Sequence, residues 1–518
     1  MLALCAFAYL YAFPYQATLN NPNENVRFYM TAALVEDGTY AIDGMRARWG
    51  WVNDAAVHGG HTYSVKAPGT SLLGLPGYVT YLYGSRAFGH AYDRTEALWV
   101  CRLTASILPS LLFAYVYLGF LLRRGYPAAV TFASFAAVML GSLLYGYGML
   151  FVSHTLSAVV AFTAFAWLYE VERNERRGSP LTAAWYGLLA AATTWLEYPG
   201  LVATLVLTGY ALYVLRSWRL RAAWLAGGVV PALSLMHFQW RAFDNPLTPG
   251  HLFVESAAFR AAHEQGVYGA VGPSWEALHG LLFDLGAGLF PLTPLLWLAL
   301  PGLWLLCRRR ETRAAGITCG VLWLLTTLAI ASMNNWRGGW TIGPRYLAVC
   351  VPFLGLAALH GLAQLPPLWA AGLGLGTMLA ACAASGIPSV YYPHLPPEFT
   401  RPLPQLFQVL IAHDYAPLNA GQWLGVWGSA SMLPLLACVL GLSAAVLQTA
   451  GRQRGLVAGI ALATAALCLT PLWLRPDAEP GVRQAVAFVT GRFHPPGHDK
   501  AARLLMQLKA AGKSASPE

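Results

Sequence analysis

Charged residues of the kind that bind phosphate or accept protons follow apolar segments at several points of this sequence. Glu24 and Arg27 lie in NNPNENVRFYM, directly after an apolar run that begins at Met1. If this stretch opens a helix, the helix dipole favours an ionised carboxylate in the first turn, and Arg27 is close enough to pair with it. An ionised Glu24 beside a membrane could take a proton from a hydroxyl group. The alternative is an N-terminal ion pair that only stabilises the helix.

Three cations lie in turn-like segments of the sort that let a charged group approach an anion. Lys66 occurs in HTYSVKAPG, where an ammonium group at the membrane interface suits a lipid phosphate or, alternatively, simply extends toward water. Arg337 and Arg345 occur in NNWRGGWTIGPRY, whose glycines allow close approach of a guanidinium to a phosphate. We therefore predict that Lys66, Arg345 and Arg337 form an anion site.

Further polar residues lie in the same kind of position and are predicted to support that site. Glu197 in LEYP is costly near a membrane without a partner. His154 in FVSHT is either a hydrogen-bonded residue at the end of a span or a ligand. The predicted supporting residues are Asn25, Arg27, Tyr63, His154, Glu197 and Tyr198.

The elements that must position these residues are membrane helices. Of the 518 residues, 57% are hydrophobic and 11% are charged, which is more apolar surface than a water-soluble globule can bury. The net charge of +10 comes mainly from arginines in short turns between apolar runs, a pattern typical of membrane orientation and not of nucleic-acid binding. The eight cysteines show no CxxC spacing, so we expect packing roles.

Hydropathy and the Pro, Gly and charge breaks predict an all-α polytopic membrane protein with about 13 transmembrane helices. The run 71–84 is shorter and contains Gly74 and Pro76, so we expect an interfacial or re-entrant segment there. The predicted spans are 1–19, 98–122, 126–150, 155–171, 181–198, 200–215, 222–240, 286–307, 314–333, 346–363, 367–388, 428–448 and 455–474.

Arginine clusters then predict the orientation of the chain. If 71–84 does not cross, the clusters occur at every second turn, and their common side should be the cytoplasm, with the N-terminus on the same side. Residues 20–97 become a first external loop, with a short amphipathic helix from Asn23 to Asp37 lying on the membrane surface. We expect 1–474 to be one transmembrane domain, 389–427 to be an external loop and possible lid, and 475–518 to be a short external tail.

The order of these motifs resembles a known family. ENVR leading to ALVEDGTYAID, then YSVKAPGTSLLGLP, FVSHT, LEYP, FDNPLTPG and WRGGWTIGPRYL looks like the GT-C class of membrane glycosyltransferases. Within that class the chain is similar to bacterial relatives of the protein O-mannosyltransferases and aminoarabinose transferases. The similarity extends over about residues 1–350 and is weaker from there to about 475.

The resemblance implies transfer of a monosaccharide from a polyprenyl-phosphate donor to a protein, lipid or glycan acceptor at the outer face of a bacterial plasma membrane. Glu24 matches the first acid of the family's acidic pair, which implies the catalytic carboxylate, while Asn25 stands where the second acid is expected. Lys66 and Arg345 match positions that contact the phosphate. Val65 replaces the acidic residue that usually precedes the lysine, which removes one carboxylate from any divalent-cation site.

A single base opposite a phosphate leaving group is typical of one displacement with inversion, although Glu197 leaves a mechanism with two carboxylates open. Two other classes stay open on the sequence. External cations could recruit an anionic lipid or solute to a transporter. A non-catalytic subunit of an envelope assembly pathway would explain the missing second acid and Val65.

Overall fold

The structure is a computed structural model that describes residues 1–16, 19, 21–266, 269–474 and 480–492. Its helices in the first half of the chain are α1 Leu2–Tyr11, α2 Pro22–Glu36, α3 Asp43–Trp49, α4 Gly69–Ala87, α5 Arg94–Arg102, α6 Leu108–Arg123, α7 Ala128–Leu140, α8 Leu143–Gly148, α9 His154–Glu172, α10 Pro180–Leu196, α11 Leu201–Val214 and α12 Trp218–Phe243. Those of the second half are α13 Ala257–Glu264, α14 Trp275–Leu282, α15 Leu289–Leu292, α16 Ala299–Arg308, α17 Arg313–Ala331, α18 Val351–Leu362, α19 Pro367–Ala381, α20 Ile387–Tyr391, α21 Gln408–Ala412, α22 Ala420–Trp423, α23 Leu433–Thr449, α24 Arg454–Trp473 and α25 Pro480–Thr490. The strands are β1 Ala12–Phe13, β2 Ala55–His58, β3 His61–Ser64 and β4 Leu418–Asn419.

Seven helical stretches in the described part of the chain are long and apolar enough to cross a membrane. They are Arg94–Arg123, His154–Glu172, Arg313–Ala331, Arg345–Leu362, Pro367–Tyr391, Gly428–Thr449 and Gly451–Trp473. Five shorter apolar helices accompany them: Leu2–Tyr11, Ala128–Leu140, Tyr198–Val214, Pro294–Arg308 and Leu403–Ala412. The fold is therefore that of an all-α membrane protein, as predicted, but the structure does not confirm about 13 spans.

Several predicted spans are shorter or broken. The run 1–19 contains only the ten-residue α1, which rises about 15 Å and is too short for a bilayer core of about 30 Å. The run 126–150 breaks into α7 and α8 because Gly141 packs against Ala381 and the Ser142 side chain caps the new helix at the Leu144 N–H. Small side chains and caps decide these breaks, and hydropathy does not detect them.

The interfacial segment predicted at 71–84 is a 19-residue helix, α4, with Pro76 inside it. Gly74 lets α4 approach Phe151, and Gly77 lets it approach Thr104, so a side chain at either position would clash. The helix is not among the membrane-span candidates of the described residues. That it does not cross remains a prediction.

The helix expected after the first apolar run is α2, and its bounds agree with the prediction. The amphipathic pattern expected for it is wrong, and its place at the membrane surface remains a prediction. Asn23, Glu24 and Arg27 are buried as fully as the apolar Val26 and Met30, because neighbouring segments cover both faces of the helix. Part of the first loop is therefore interior, and its charged residues need partners within the protein.

Two small antiparallel sheets order the connections on the side of the molecule that carries the predicted site. β2 pairs with β3 around the turn Gly59-Gly60, and both glycines have positive φ. β1 pairs with β4, which lies in the loop 389–427. The tail helix α25 packs Phe488 against Trp340, so this part of the tail lies against the loop 334–344, as the prediction that both are external requires. The helical pattern predicted for 501–511 lies outside the described residues.

At the other end of the bundle, ion pairs between arginines and glutamates connect separate turns. Arg124 forms an ion pair with Glu175, and Arg173 lies 3.9 Å from Glu311. These contacts join turns that the charge pattern placed on one face, in agreement with that grouping. Which face is cytoplasmic remains a prediction.

Candidate functional site

Glu24 is held by a buried ion pair in which every carboxylate direction is occupied. The Nε and an Nη of Arg102 donate to its two oxygens at 2.6 Å each. The Phe151 N–H donates at 2.7 Å and the Asn21 amide at 3.2 Å. Burial alone would raise the pKa of Glu24, but Arg102 and the Phe151 N–H outweigh burial and lower the pKa below its usual value. This geometry favours a structural anion over the predicted proton acceptor.

The predicted pairing of Glu24 with Arg27 is wrong, although both residues lie on α2. The buried guanidinium of Arg27 donates to Asn23 Oδ1 at 3.0 Å, to the Ala67 carbonyl at 3.1 Å and to Ser153 Oγ at 3.0 Å. Arg27 therefore joins α2 to the residues next to Lys66 and His154. Tertiary contacts from two other segments replace the local i, i+3 pair, because only they satisfy a buried guanidinium fork.

Lys66 pairs with a carboxylate that the sequence interpretation missed. Its Nζ lies 2.9 Å from an Asp54 oxygen, and the side chains are 14% and 21% exposed. The Val65 N–H donates to the Asp54 carbonyl at 3.1 Å, so Asp54 lies opposite Val65 across the β2–β3 hairpin. A carboxylate thus faces Lys66 from the residue just before β2, although Val65 precedes the lysine in the sequence. Glycines at a two-residue turn signal a hairpin, and counting back from Gly59-Gly60 would have found this register.

Arg345 enters the site at the first residue of a candidate span. It lies against Gly338, where a Cβ would be 3.0 Å from the Arg345 Nε and 2.9 Å from the Tyr346 ring. Gly338 also has a φ of +75°, so glycine is required there both for space and for the backbone. The predicted approach of the guanidinium to a phosphate remains a prediction, and the Arg345 Nε is buried without a hydrogen-bond partner among the described residues.

His154 and Glu197 meet at the ends of two helices. The His154 Nδ1 lies 2.6 Å from Glu197 Oε1, with the two side chains 1% and 11% exposed. Tyr147 and Tyr346 pack edge-on against the imidazole at centroid distances of 4.9 and 5.6 Å. The partner that the sequence required for Glu197 is therefore a histidine, and the second nitrogen of His154 has no hydrogen-bond partner within the described chain.

These contacts build one buried group of charges, which we call the charge cluster: Arg27, Asp54, Lys66, Glu197 and Arg345. Arg27 and Arg345 both act electrostatically on Asp54 and Glu197. Burial lowers the pKa of Arg27 only to about 10, so it stays cationic at neutral pH. Burial would raise the pKa of Asp54, but Lys66 and Arg345 outweigh burial and lower the pKa, so the carboxylate stays ionised.

Two histidines that the sequence interpretation did not single out lie beside these charges. His251 is near Lys66 and Asp54, and burial lowers its pKa to about 3. His394 contacts Asn21 at 3.0 Å and lies near Glu24, and burial lowers its pKa to about 4. Both come from connections far along the chain, and no local pattern marks them.

The structure does not bring every predicted residue into the charge cluster. Arg337 is influenced by Asp284 and Glu398, and burial lowers its pKa. Asn25 accepts a hydrogen bond from Arg94 at 3.1 Å. Tyr63 packs against Phe243.

Tyr198 lies beside Glu197 and packs edge-on against His251 at 5.3 Å. Its ring thus contacts a histidine that itself neighbours the charge cluster. The supporting role of Tyr198 remains a prediction.

A divalent cation needs several oxygen or nitrogen ligands around one point. Among the described residues, no three His, Cys, Asp or Glu side chains come together in that way. The residues present therefore do not fit a metal site, and we derive no step through a metal.

Comparison with models of known families and with curated proteins found no match for this chain.

Proposed function

We propose that this protein is a membrane glycosyltransferase that transfers a monosaccharide from a polyprenyl-phosphate donor to an acceptor at the external face of a bacterial plasma membrane. The observation that supports this proposal is the placement of the charge cluster at helix ends. His154 and Arg345 each begin a candidate span, and Glu197 directly follows α10. A transporter more often carries its charges at mid-membrane depth in broken helices, so the placement favours a site that meets a lipid headgroup.

The cations of the charge cluster supply what the leaving group requires. When the bond between the anomeric carbon and the phosphate oxygen breaks, the electron pair stays on the phosphate. Lys66, Arg345 and Arg27 would stabilise this charge in a site from which water is largely excluded. The main role of Arg27 would be to position Lys66 and His154, since its hydrogen bonds hold the segments that carry these two residues.

The proton of the acceptor hydroxyl needs a carboxylate with a free lone pair. The oxygen atoms of Glu24 receive four donors, whereas among the described residues the Glu197 carboxylate has one close contact, with His154. We therefore assign the proton acceptor to Glu197, with attack on the anomeric carbon opposite the phosphate and inversion as the result. Glu24 then keeps Arg102 paired and joins α2 to the segment before α9.

The test is a transfer assay with purified protein in lipid nanodiscs. It offers a panel of radiolabelled polyprenyl-phosphate sugars with membrane and periplasmic extracts as acceptor. Lys66→Met, Arg345→Gln and Glu197→Gln should each abolish transfer of label. Arg337→Gln and Glu255→Gln are the matched controls, since Arg337 faces other carboxylates and the Glu255 side chain pairs with Arg46, which is not part of the charge cluster.

Undiminished transfer in Glu197→Gln would refute the assignment of the proton acceptor. If no donor yields transfer and the protein instead moves a labelled lipid between leaflets, the transporter alternative replaces the glycosyltransferase.

A further inference from the structure

The balance of charges in the charge cluster bears on which phosphate it can hold. Three cations and two carboxylates give a formal net charge of +1 when the neighbouring histidines are neutral. His251 is neutral at physiological pH, because burial lowers its pKa to about 3. We count the His154 imidazole as neutral, with its Nδ1–H donating to the ionised Glu197 carboxylate at 2.6 Å. A net charge of +1 neutralises one negative charge, not two.

The proposed reaction changes the charge of the lipid phosphate. The donor is a phosphodiester with one negative charge. The product is a phosphomonoester, whose second pKa is about 6 and whose charge at pH 7 is about −1.5 to −2. A site made only of cations would bind the product more tightly than the donor and would be inhibited by it.

Asp54 is the residue that prevents an excess of positive charge. Its carboxylate lies 2.9 Å from the Lys66 Nζ, where a bound phosphate would also be placed. The hairpin holds it there, since Ala55 pairs with Ser64 and the Asp54 carbonyl accepts from Val65. The residue has a φ of +61°, a left-handed conformation that Asp and Asn tolerate better than most residues.

We propose that Asp54 sets the charge specificity of the phosphate site. It competes with the bound phosphate for Lys66, so that the site accepts a singly charged phosphodiester and releases the doubly charged phosphomonoester. The inference rests on the proposed function for its lipid substrate. Its test measures binding alone and needs no transfer.

The experiment compares two probes that share one prenyl chain, farnesyl phosphate and its methyl ester, at a pH well above the second pKa of the monoester, about 6. Dissociation constants are measured for the purified full-length protein in nanodiscs. Wild-type protein should bind the two probes within about threefold of each other, and Asp54→Asn should prefer the monoester by about tenfold or more, because one neutralising charge is lost in a partly desolvated site. Asparagine suits the left-handed backbone, so the fold should be kept.

Two further variants complete the design. Asp54→Glu keeps the charge and should restore a preference close to that of wild type. Asp244→Asn is the matched control, because Asp244 also has a left-handed backbone, with φ +59°, but is 87% exposed and pairs with His58 outside the charge cluster. It should leave the ratio unchanged.

The outcomes separate the two proposals. If Asp54→Asn and wild type show the same ratio, or if wild type already strongly prefers the monoester, the role of Asp54 is refuted and the phosphate site remains. If neither ester binds the wild type, the phosphate site itself is refuted, and the charge specificity with it.

Discussion

Replacement of Glu24 by glutamine tests whether this carboxylate is structural or catalytic. The change leaves Arg102 buried without a counter-charge, at 0% side-chain exposure. Removing one partner of a buried ion pair costs about 3 to 5 kcal/mol of unfolding free energy. Glutamine can still accept from the Phe151 N–H, so we expect a loss of about 3 kcal/mol, at the lower end of this range.

The matched double variant is Glu24→Leu with Arg102→Met. Replacing a whole buried pair by apolar side chains of similar size is often neutral or stabilising, so this variant should recover most of the lost stability. The phenyl ring of Phe13, 4.4 Å from the Arg102 guanidinium carbon, offers the new methionine an apolar neighbour. Each protein is unfolded in the same lipid nanodiscs at neutral pH, and transfer activity is measured below the unfolding transition.

A structural role predicts that Glu24→Gln loses stability and that the folded fraction keeps its activity. The reasoning would be refuted by a Glu24→Gln protein with wild-type stability and no transfer. In that case Glu24 is the proton acceptor, as the sequence suggested, and the assignment to Glu197 is wrong.

Three further predictions concern the support of the site. Gly338→Ala should lower the unfolding free energy by about 1 to 2 kcal/mol and weaken phosphate binding, because the added methyl group meets Arg345. Gly339 also has a left-handed backbone but has open space around it, so Gly339→Ala should cost a similar amount of stability and keep phosphate binding. Arg27→Lys should cost about 1 to 3 kcal/mol in unfolding experiments, since an ammonium cannot reproduce the three-way fork, and wild-type stability would contradict this role. The pKa of His394 is 6.5 in the unfolded chain and about 4 in the folded protein, so the unfolded chain binds a proton more readily. The unfolding free energy should therefore fall as the pH drops from about 6.5 to about 4. His394→Gln should flatten this pH dependence, whereas His90→Gln, at an exposed position, should not.

Local patterns in the sequence predicted local features well. The composition predicted a helical membrane protein, and the polar start and Asp37-Gly38 end of the second helix predicted its bounds. The partner of Glu24 could not be predicted in this way, because Arg102 is 78 residues away and only the packing of α2 near α5 brings it close. The position of Asp54 next to Lys66 was predictable in principle from the register of the Gly-Gly hairpin, whereas the position of His394 near Glu24 was not.

The number of spans predicted from hydropathy, about 13, was not confirmed. An apolar run predicts burial, but it does not show whether a glycine contact or a serine cap divides the run, as at Gly141 and Ser142. In the same way, helical spacing predicted α2 but not its buried polar face. Burial of that face depends on segments that arrive from elsewhere in the chain.

The pairing of β1 with β4 has a consequence for biosynthesis. Ala12 and Phe13 leave the ribosome about 400 residues before their partners, Asn419 and Leu418. At about 5 to 20 residues per second, the N-terminal strand waits at least about 20 seconds for its partner. His394, which contacts the start of α2, arrives in the same late part of the chain. The surroundings of Glu24 therefore stay incomplete until His394 and β4 have been synthesised, and a chain that ends before β4 should insert helices without completing this region.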